Sequence, residues 1–388
     1  MNRNIIFVSD FFIDHIVGGG ELNDKEIIEQ LRIDGYQVTK KQSHFINEDF
    51  LRKNRESFFI ISNFMNLNLE CRQILMELDY IIYEHDHKYV KSRNPANFKN
   101  FKVPKHEIVN FYFYKNAKKV FCQSKFHKNI VVKNLNLENI INVGGNLWSD
   151  DSLNYIEKIS KLQKNNKFSI MDSNISHKNT MGAIKYCKKS NKDYVLIKNN
   201  NYFDFLRELG ANSKFVFLPK TPETLSRVVV EARMMNMSVS TNKLVGATSE
   251  PWFHMKGKEL IDFMRNKKKE IFSTIKAQIT DFKSKDRPLI SVISTFYHGE
   301  KFLEGLLEDI TSQSIFDKCE LILVDTASPG KEKEIVQKYI DRFPNIKYYR
   351  YEERTDPTVG TNLALEKVNS RYVTIANIDD RRSYKFLE

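Results

Sequence analysis

Short apolar runs, each bounded by polar or turn residues, recur along the chain and alternate with stretches of helical spacing. Residues 4–9, 58–62, 80–83 and 119–122 are apolar at successive positions, which predicts strands buried on both faces, as in a parallel sheet. Runs at 168–171, 194–197, 215–218 and 238–241 repeat this after a polar passage over 142–166. Those at 289–295, 320–325, 346–351 and 372–375 repeat it again after a boundary at 283–288. Such alternation predicts an α/β fold of parallel sheets with helices on both sides. Helices are expected from about Asn23, from Ser124 as N-cap, from about Thr180, from Thr221 or Pro222, and over 257–282 as one long amphipathic stretch. The predicted domains are 1–150, 151–284 and 285–388.

Composition narrows the classes. Of 388 residues 41% are hydrophobic and 12% aromatic, which excludes wholesale disorder. The 61 Lys and Arg against 49 Asp and Glu leave a net charge of +12. That charge suits anionic ligands such as nucleotide diphosphates, an anionic membrane face, or nucleic acid. No basic-aromatic recognition motif or helix-turn-helix accompanies it, so no nucleic acid is expected. Cys71, Cys122, Cys187 and Cys319 show neither metal-ligand nor disulfide spacing, so a reducing cytoplasm is the default. Asp10 cuts the first apolar run too short for a signal peptide, and no run reaches membrane-spanning length.

Candidate chemistry lies where predicted strands end. Gly18, Gly19 and Gly20 separate the first strand from its helix, and glycines there admit a phosphate or sugar to the backbone. A plain flexible turn accounts for them equally well. Glu84, His85, Asp86 and His87 leave a strand end in sequence and cannot all converge on one metal ion. His85 is placed to hydrogen-bond sugar hydroxyls. Lys178 at a helix start and Lys198 at a strand end are cationic candidates for a diphosphate. Glu223 and Glu231, eight positions apart in a predicted helix, fall on nearly one face. The plain alternative for each is a solvated side chain.

The segment with Pro219, Glu223, Glu231, Ala232 and the strand 238–241 resembles the donor-binding motif of retaining glycosyltransferases of family 4, which have the GT-B fold of two Rossmann-like domains. The resemblance implies Glu223 on the donor sugar, Glu231 on ribose, Lys178 and the glycine loop on the diphosphate, and His85 near the sugar. It implies no cofactor. The sequence departs from the family at Thr221, Pro222 and Asn236, and no arginine clearly accompanies Lys178.

Residues from 289 on resemble the nucleotide-binding half of inverting, GT-A-fold glycosyltransferases of family 2. Here the resemblance implies nucleotide contacts from Thr295, Asp325, Asn362 and Asp379, and Mg2+ or Mn2+ held by Asp379 and Asp380, hard carboxylate ligands at a strand end. Thr326 and Thr361 depart from this family's pattern. With Glu388 just past the metal motif, the module is expected to lack the acceptor-binding half and a general base. Together the resemblances imply a tandem glycosyltransferase of hexosyltransferase type. It would move sugar from a nucleotide-diphosphate sugar to a glycan or lipid-linked acceptor in polysaccharide synthesis, in the cytoplasm or at the inner membrane face with peripheral association. The alternative classes are a non-catalytic sugar-nucleotide or glycan-binding scaffold and, on charge alone, a nucleic-acid binder.

Overall fold

The computed structural model describes residues 4–280, 288–368, 370 and 372–388. The chain divides into two compact units, Met1–Phe282 and Lys283–Glu388. Most of the predicted boundary at 283–288, and the last residues of the helix predicted over 257–282, lie outside the described residues.

The first unit contains two parallel sheets. Strands β1 (Ile5–Ser9), β2 (Val38–Gln42), β3 (Phe58–Ile61), β4 (Tyr80–Tyr83), β5 (Val120–Cys122) and β6 (Ile140–Asn142) form one, in the order β2-β1-β3-β4-β5-β6. Strands β7 (Asn165–Met171), β8 (Tyr194–Ile197), β9 (Asn212–Phe217) and β10 (Ser238–Thr241) form the other, in the order β10-β9-β7-β8. Every residue of β1, β3, β4 and β5 is buried. Their side chains alternate between two cores. Ile6, Val8, Phe59, Ile61, Ile82 and Val120 face one, and Ile5, Phe7, Phe58, Ile60, Tyr83 and Phe121 the other. This two-faced burial is the physical reason these runs lack polar alternation.

The helix Gly257–Thr280 joins the sheets. Its first half gives Leu260, Ile261 and Met264 to the core of the second sheet, and its second half gives Ile271, Phe272, Ile275 and Ile279 to the first. Lys268 to Glu26 at 2.5 Å and Lys276 to Asp34 at 2.7 Å fasten it to the helix Gly19–Ile33.

The second unit holds β11 (Ile290–Phe296), β12 (Cys319–Thr326), β13 (Ile346–Tyr351) and β14 (Tyr372–Ile375), all parallel, in the order β13-β12-β11-β14. In each sheet the chain first builds outward on one side of the starting strand and then returns to the other. The crevices where the order reverses lie between β1 and β3, β7 and β9, and β11 and β14, and ligands of such sheets bind at the carboxyl ends flanking them.

Two expectations need correction, and the polar passage 142–166 contains a helix, Asp150–Ser160, capped by the Ser149 side chain. The helix after the glycines begins at Gly19, with Gly18 as N-cap, and not near Asn23. No helix begins at Thr221 or Pro222. Glu223 is extended and bridged to Val245, its N–H donating to the Leu244 carbonyl at 2.7 Å and its carbonyl accepting from Gly246 N–H at 2.9 Å. The helix runs over Arg227–Met234. Cross-strand partners for residue 223, more than twenty positions away, outcompete local helical pairing, which sequence spacing cannot reveal.

Candidate functional site

At the β7/β9 crevice the loop after β7 folds onto the exit of β9. The Asn179 amide donates to the Leu218 carbonyl at 2.7 Å, and Lys220 N–H donates to the His177 carbonyl at 2.8 Å. Asn179 itself takes a left-handed conformation, which asparagine tolerates. This carries Lys178 to Glu223, where Nζ and Oε1 are 2.8 Å apart with 26% and 15% of the side chains exposed. Two predicted site residues 45 positions apart thus meet at the expected end of the sheet. Burial, and then the positive charge of Lys178, lower the pKa of the neighbouring His177. Lys198 stands exposed past the edge strand β8, and among the described residues no hydrogen bond or ion pair joins it to this pair.

Glu231 turns inward instead. Its Oε1 accepts from Trp148 Nε1 at 2.9 Å, Tyr202 Oη at 2.6 Å and Arg227 Nε at 2.9 Å. Arg227, missed in the sequence, is 7% exposed and lies 4.6 Å over the Trp148 ring, with a further bond to the Leu147 carbonyl. Glu231 is thus a buried counter-ion of Arg227, with Oε1 fully engaged. The i, i+4 spacing of Arg227 and Glu231 was the available signal.

His85 is also engaged at both ring nitrogens. Nε2 lies 2.7 Å from Asp24 Oδ1, a buried carboxylate that also accepts from Ser62 Oγ at 2.5 Å. Nδ1 lies 2.7 Å from Gln123 Nε2, which also donates to the Glu84 carbonyl at 3.2 Å. With Gln123 donating, Nδ1 accepts and the proton sits on Nε2 toward Asp24. Burial lowers the imidazole pKa, but the Asp24 carboxylate outweighs it and raises the value overall. Both ring nitrogens are thus engaged within the protein. Around it, Thr224 Oγ1 donates to the His85 carbonyl at 3.2 Å and Ser124 Oγ to the Thr224 carbonyl at 2.5 Å, tying the two sheets together.

The glycine turn is partly occupied. A Cβ on Gly18 would overlap Glu21 Oε2, so the Glu21 carboxylate lies against the start of the helix and a diphosphate there would have to displace it. A Cβ on Gly19 would touch Arg227 at 3.7 Å and one on Gly20 the His85 ring at 3.5 Å, while Gly19 itself is exposed. Of the four residues 84–87, Glu84 and Asp86 form an internal ion cluster with the following Lys88: this fully buried lysine contacts Glu84 and, at 3.0 Å, Asp86. Among the described residues no group of three or more metal-ligating side chains converges.

In the second unit, Asp379 and Asp380 follow β14 beside the β11/β14 crevice. The loop is fixed from both sides. A Cβ on Gly299 would overlap the Ile378 side-chain tip, so the two pack closely, and Arg381 grips Asp309 with bonds of 2.9 and 2.8 Å. The Arg381 bond holds the Asp309 carboxyl below its usual range. Asp380 accepts from the Asn377 amide at 3.1 Å. Asp379 is exposed, and among the described residues no hydrogen bond or ion pair engages its carboxylate. Two hard carboxylates, one of them unengaged, fit the donor chemistry of Mg2+ or Mn2+. Thr295 is half-buried on β11 against Gly360, and Asn362 is exposed on the helix Pro357–Leu365.

Asp325 is fully buried, and its oxygens accept from Ser328 N–H at 2.8 Å, Tyr348 Oη at 2.5 Å and Arg350 Nη1 at 2.9 Å. It braces the β12 exit from within.

Residues 291–388 match the family model of glycosyl transferase family 2. Over these residues the C-terminal unit is similar to family 2 glycosyltransferases. Over 93 residues it is 33% identical to an uncharacterized glycosyltransferase of Haemophilus influenzae, covering 24% of this chain and 37% of that one. Over 91 residues it is 32% identical to the minor teichoic acid biosynthesis protein GgaB of Bacillus subtilis, covering 23% and 10%. The structure of S. aureus TarS residues 1–349 matches at 28% identity over 24% of this chain and 28% of that one, with a TM-score of 0.24. The chain thus spans little more than a third of the first relative's length.

Proposed function

We propose that this protein is a glycosyltransferase of surface-glycan synthesis that takes sugar from a nucleotide-diphosphate donor, with the nucleotide seated at the carboxyl edge of the C-terminal sheet. The observation that carries this reading is the unengaged Asp379 carboxylate at the β11/β14 crevice, within the residues that match family 2. Asp379 and Asp380 would hold a divalent cation, which supplies positive charge to the diphosphate oxygens. The Arg381–Asp309 grip and the Gly299 contact keep those carboxylates in place, so little ordering cost accompanies binding. The teichoic acid biosynthesis role in the GgaB relative's name supports a surface-polymer pathway, and a glycan or lipid-linked acceptor is the reading that goes with it.

A second donor site is favoured by one observation, the half-buried Lys178–Glu223 pair at the β7/β9 crevice. In this reading the N-terminal unit is a GT-B pair of Rossmann-like domains, Lys178 neutralises a leaving diphosphate and Glu223 accepts from the donor sugar in a retaining transfer.

Calorimetric melting of the full chain with nucleotide sugars separates the two, because a ligand of the folded state raises its transition temperature. Stabilisation that requires Mn2+, is lost in Asp379→Asn and is kept in Lys178→Ala is expected. Metal-independent stabilisation lost in Lys178→Ala would move the donor to the N-terminal unit. No response to UDP-, GDP- or dTDP-sugars would refute the transferase reading.

A further inference from the structure

The helix Thr180–Lys189 carries a charge pattern that the site does not use. Between Ser173 and Lys192 the sequence has five lysines, Lys178, Lys185, Lys188, Lys189 and Lys192, and no Asp or Glu, a local charge of +5. Ala183 and Cys187 are buried and seat the helix on Ile170 and Val216 of the second sheet. Met181, Lys185, Lys188 and Lys189 are exposed, at spacings of 4, 7 and 8 from the first, so they form one outward stripe of the helix, and the exposed Lys192 follows three residues past its end. Lys178 pairs with Glu223, but among the described residues no carboxylate pairs with the other four.

Apolar side chains sit beside this charge. Met181 is 73% exposed and Ile175, in the preceding loop, 52%. Lysines in the last turn favour the helix dipole, which accounts for Lys188 and Lys189 but not for Lys185, for the absence of acids or for Met181 standing in water. Exposed apolar residues flanked by unpaired lysines are the pattern of a helix lying on an anionic bilayer. A nucleic-acid surface would draw on guanidinium forks and stacking aromatics, and this stripe has no arginine.

We infer that the outward face of Thr180–Lys189 docks on an anionic lipid bilayer, with Met181 and Ile175 entering the headgroup boundary. The lysines take the lipid phosphates, and the edge of the second sheet that carries Lys178 is held at the membrane. The choice of a lipid partner rests on the transferase reading, in which a lipid-linked acceptor comes from that membrane; vesicle binding and donor binding are therefore measured separately.

The test is flotation of the full chain with vesicles of phosphatidylcholine alone or mixed with phosphatidylglycerol. Partitioning onto the mixed vesicles that falls with added salt is expected. The variant K185Q/K188Q/K189Q/K192Q is expected to lose roughly 100- to 1,000-fold in partition coefficient, on the scale of four lysines near an anionic surface. Its melting temperature and donor response should stay unchanged, since all four side chains are exposed. Met181→Ser gives a smaller loss without altering charge. Equal partitioning of the quadruple variant and the parent, or equal binding to neutral vesicles, would overturn the inference. So would tighter, lysine-dependent binding to duplex DNA or RNA, which would assign the face to nucleic acid. Membrane binding without donor stabilisation would leave the docking face intact and remove the transferase reading.

Discussion

Replacing Glu231 by glutamine separates a buried structural ion pair from a ligand-facing carboxylate. Glu231 and Arg227 expose 3% and 7% of their side chains, so the substitution leaves a guanidinium charge in a dry site between Trp148 and Tyr202. Breaking a buried pair from one side costs about 3–5 kcal/mol, while the glutamine oxygen can still accept from Trp148 and Tyr202. The double variant R227M/E231L removes both charges together and should recover most of the loss, because no unpaired charge remains. Tryptophan emission during urea unfolding reads this unit alone. The sequence has two tryptophans, Trp148 and Trp252, and both are buried in the N-terminal unit. With a slope of about 3 kcal/mol per molar urea, a loss of about 4 kcal/mol lowers the midpoint by roughly 1.3 M. A fall below about 0.3 M would refute the reasoning: the carboxylate would then be hydrated and open to a ribose.

Acid stability and the second unit give two further predictions. Burial pushes the His87 pKa down to about 4, the Asp86 carboxylate opposing and the Lys88 ammonium assisting. Between about pH 6.5 and pH 4 the unfolded chain therefore takes a proton the folded one refuses, and roughly 3 kcal/mol of stability is lost as pH falls through that window. His87→Gln should flatten the pH dependence of the tryptophan-detected midpoint between pH 7 and pH 4.5. Asp325→Asn weakens a carboxylate accepting three hydrogen bonds in a fully buried position and should cost the C-terminal unit about 2–4 kcal/mol, lowering its calorimetric transition while leaving the tryptophan midpoint unmoved.

Much of the strand layout was legible because a parallel strand covered on both faces must be apolar at successive positions. The runs containing β1, β3, β4 and β5 could be read for that reason. β2 and β6, at the sheet edges, were harder: β2 reads VTKKQ, with only Val38 buried, because an edge strand can meet water. The Ser124 N-cap was legible from local chemistry and is present, accepting from His127 N–H at 3.1 Å. The helix assigned to Glu223 was not, because its backbone found partners at Leu244 and Gly246.

What the sequence by itself determined is the set of buried strands, the restart of the pattern near residue 289 and the position of Asp379 and Asp380 past a strand end. All of these follow from local rules of burial, spacing and strand termination. Only the tertiary structure decided which partners each charged residue has. Glu231 and Asp325 read from sequence as ligand contacts, and each is enclosed by donors, most of them from other elements. Lys178 meets Glu223 across 45 positions, and Asp24 claims His85 across 61. A carboxylate costs several kcal/mol to bury without partners, so its role depends on what the fold delivers to it, and those partners come from distant strands and helices.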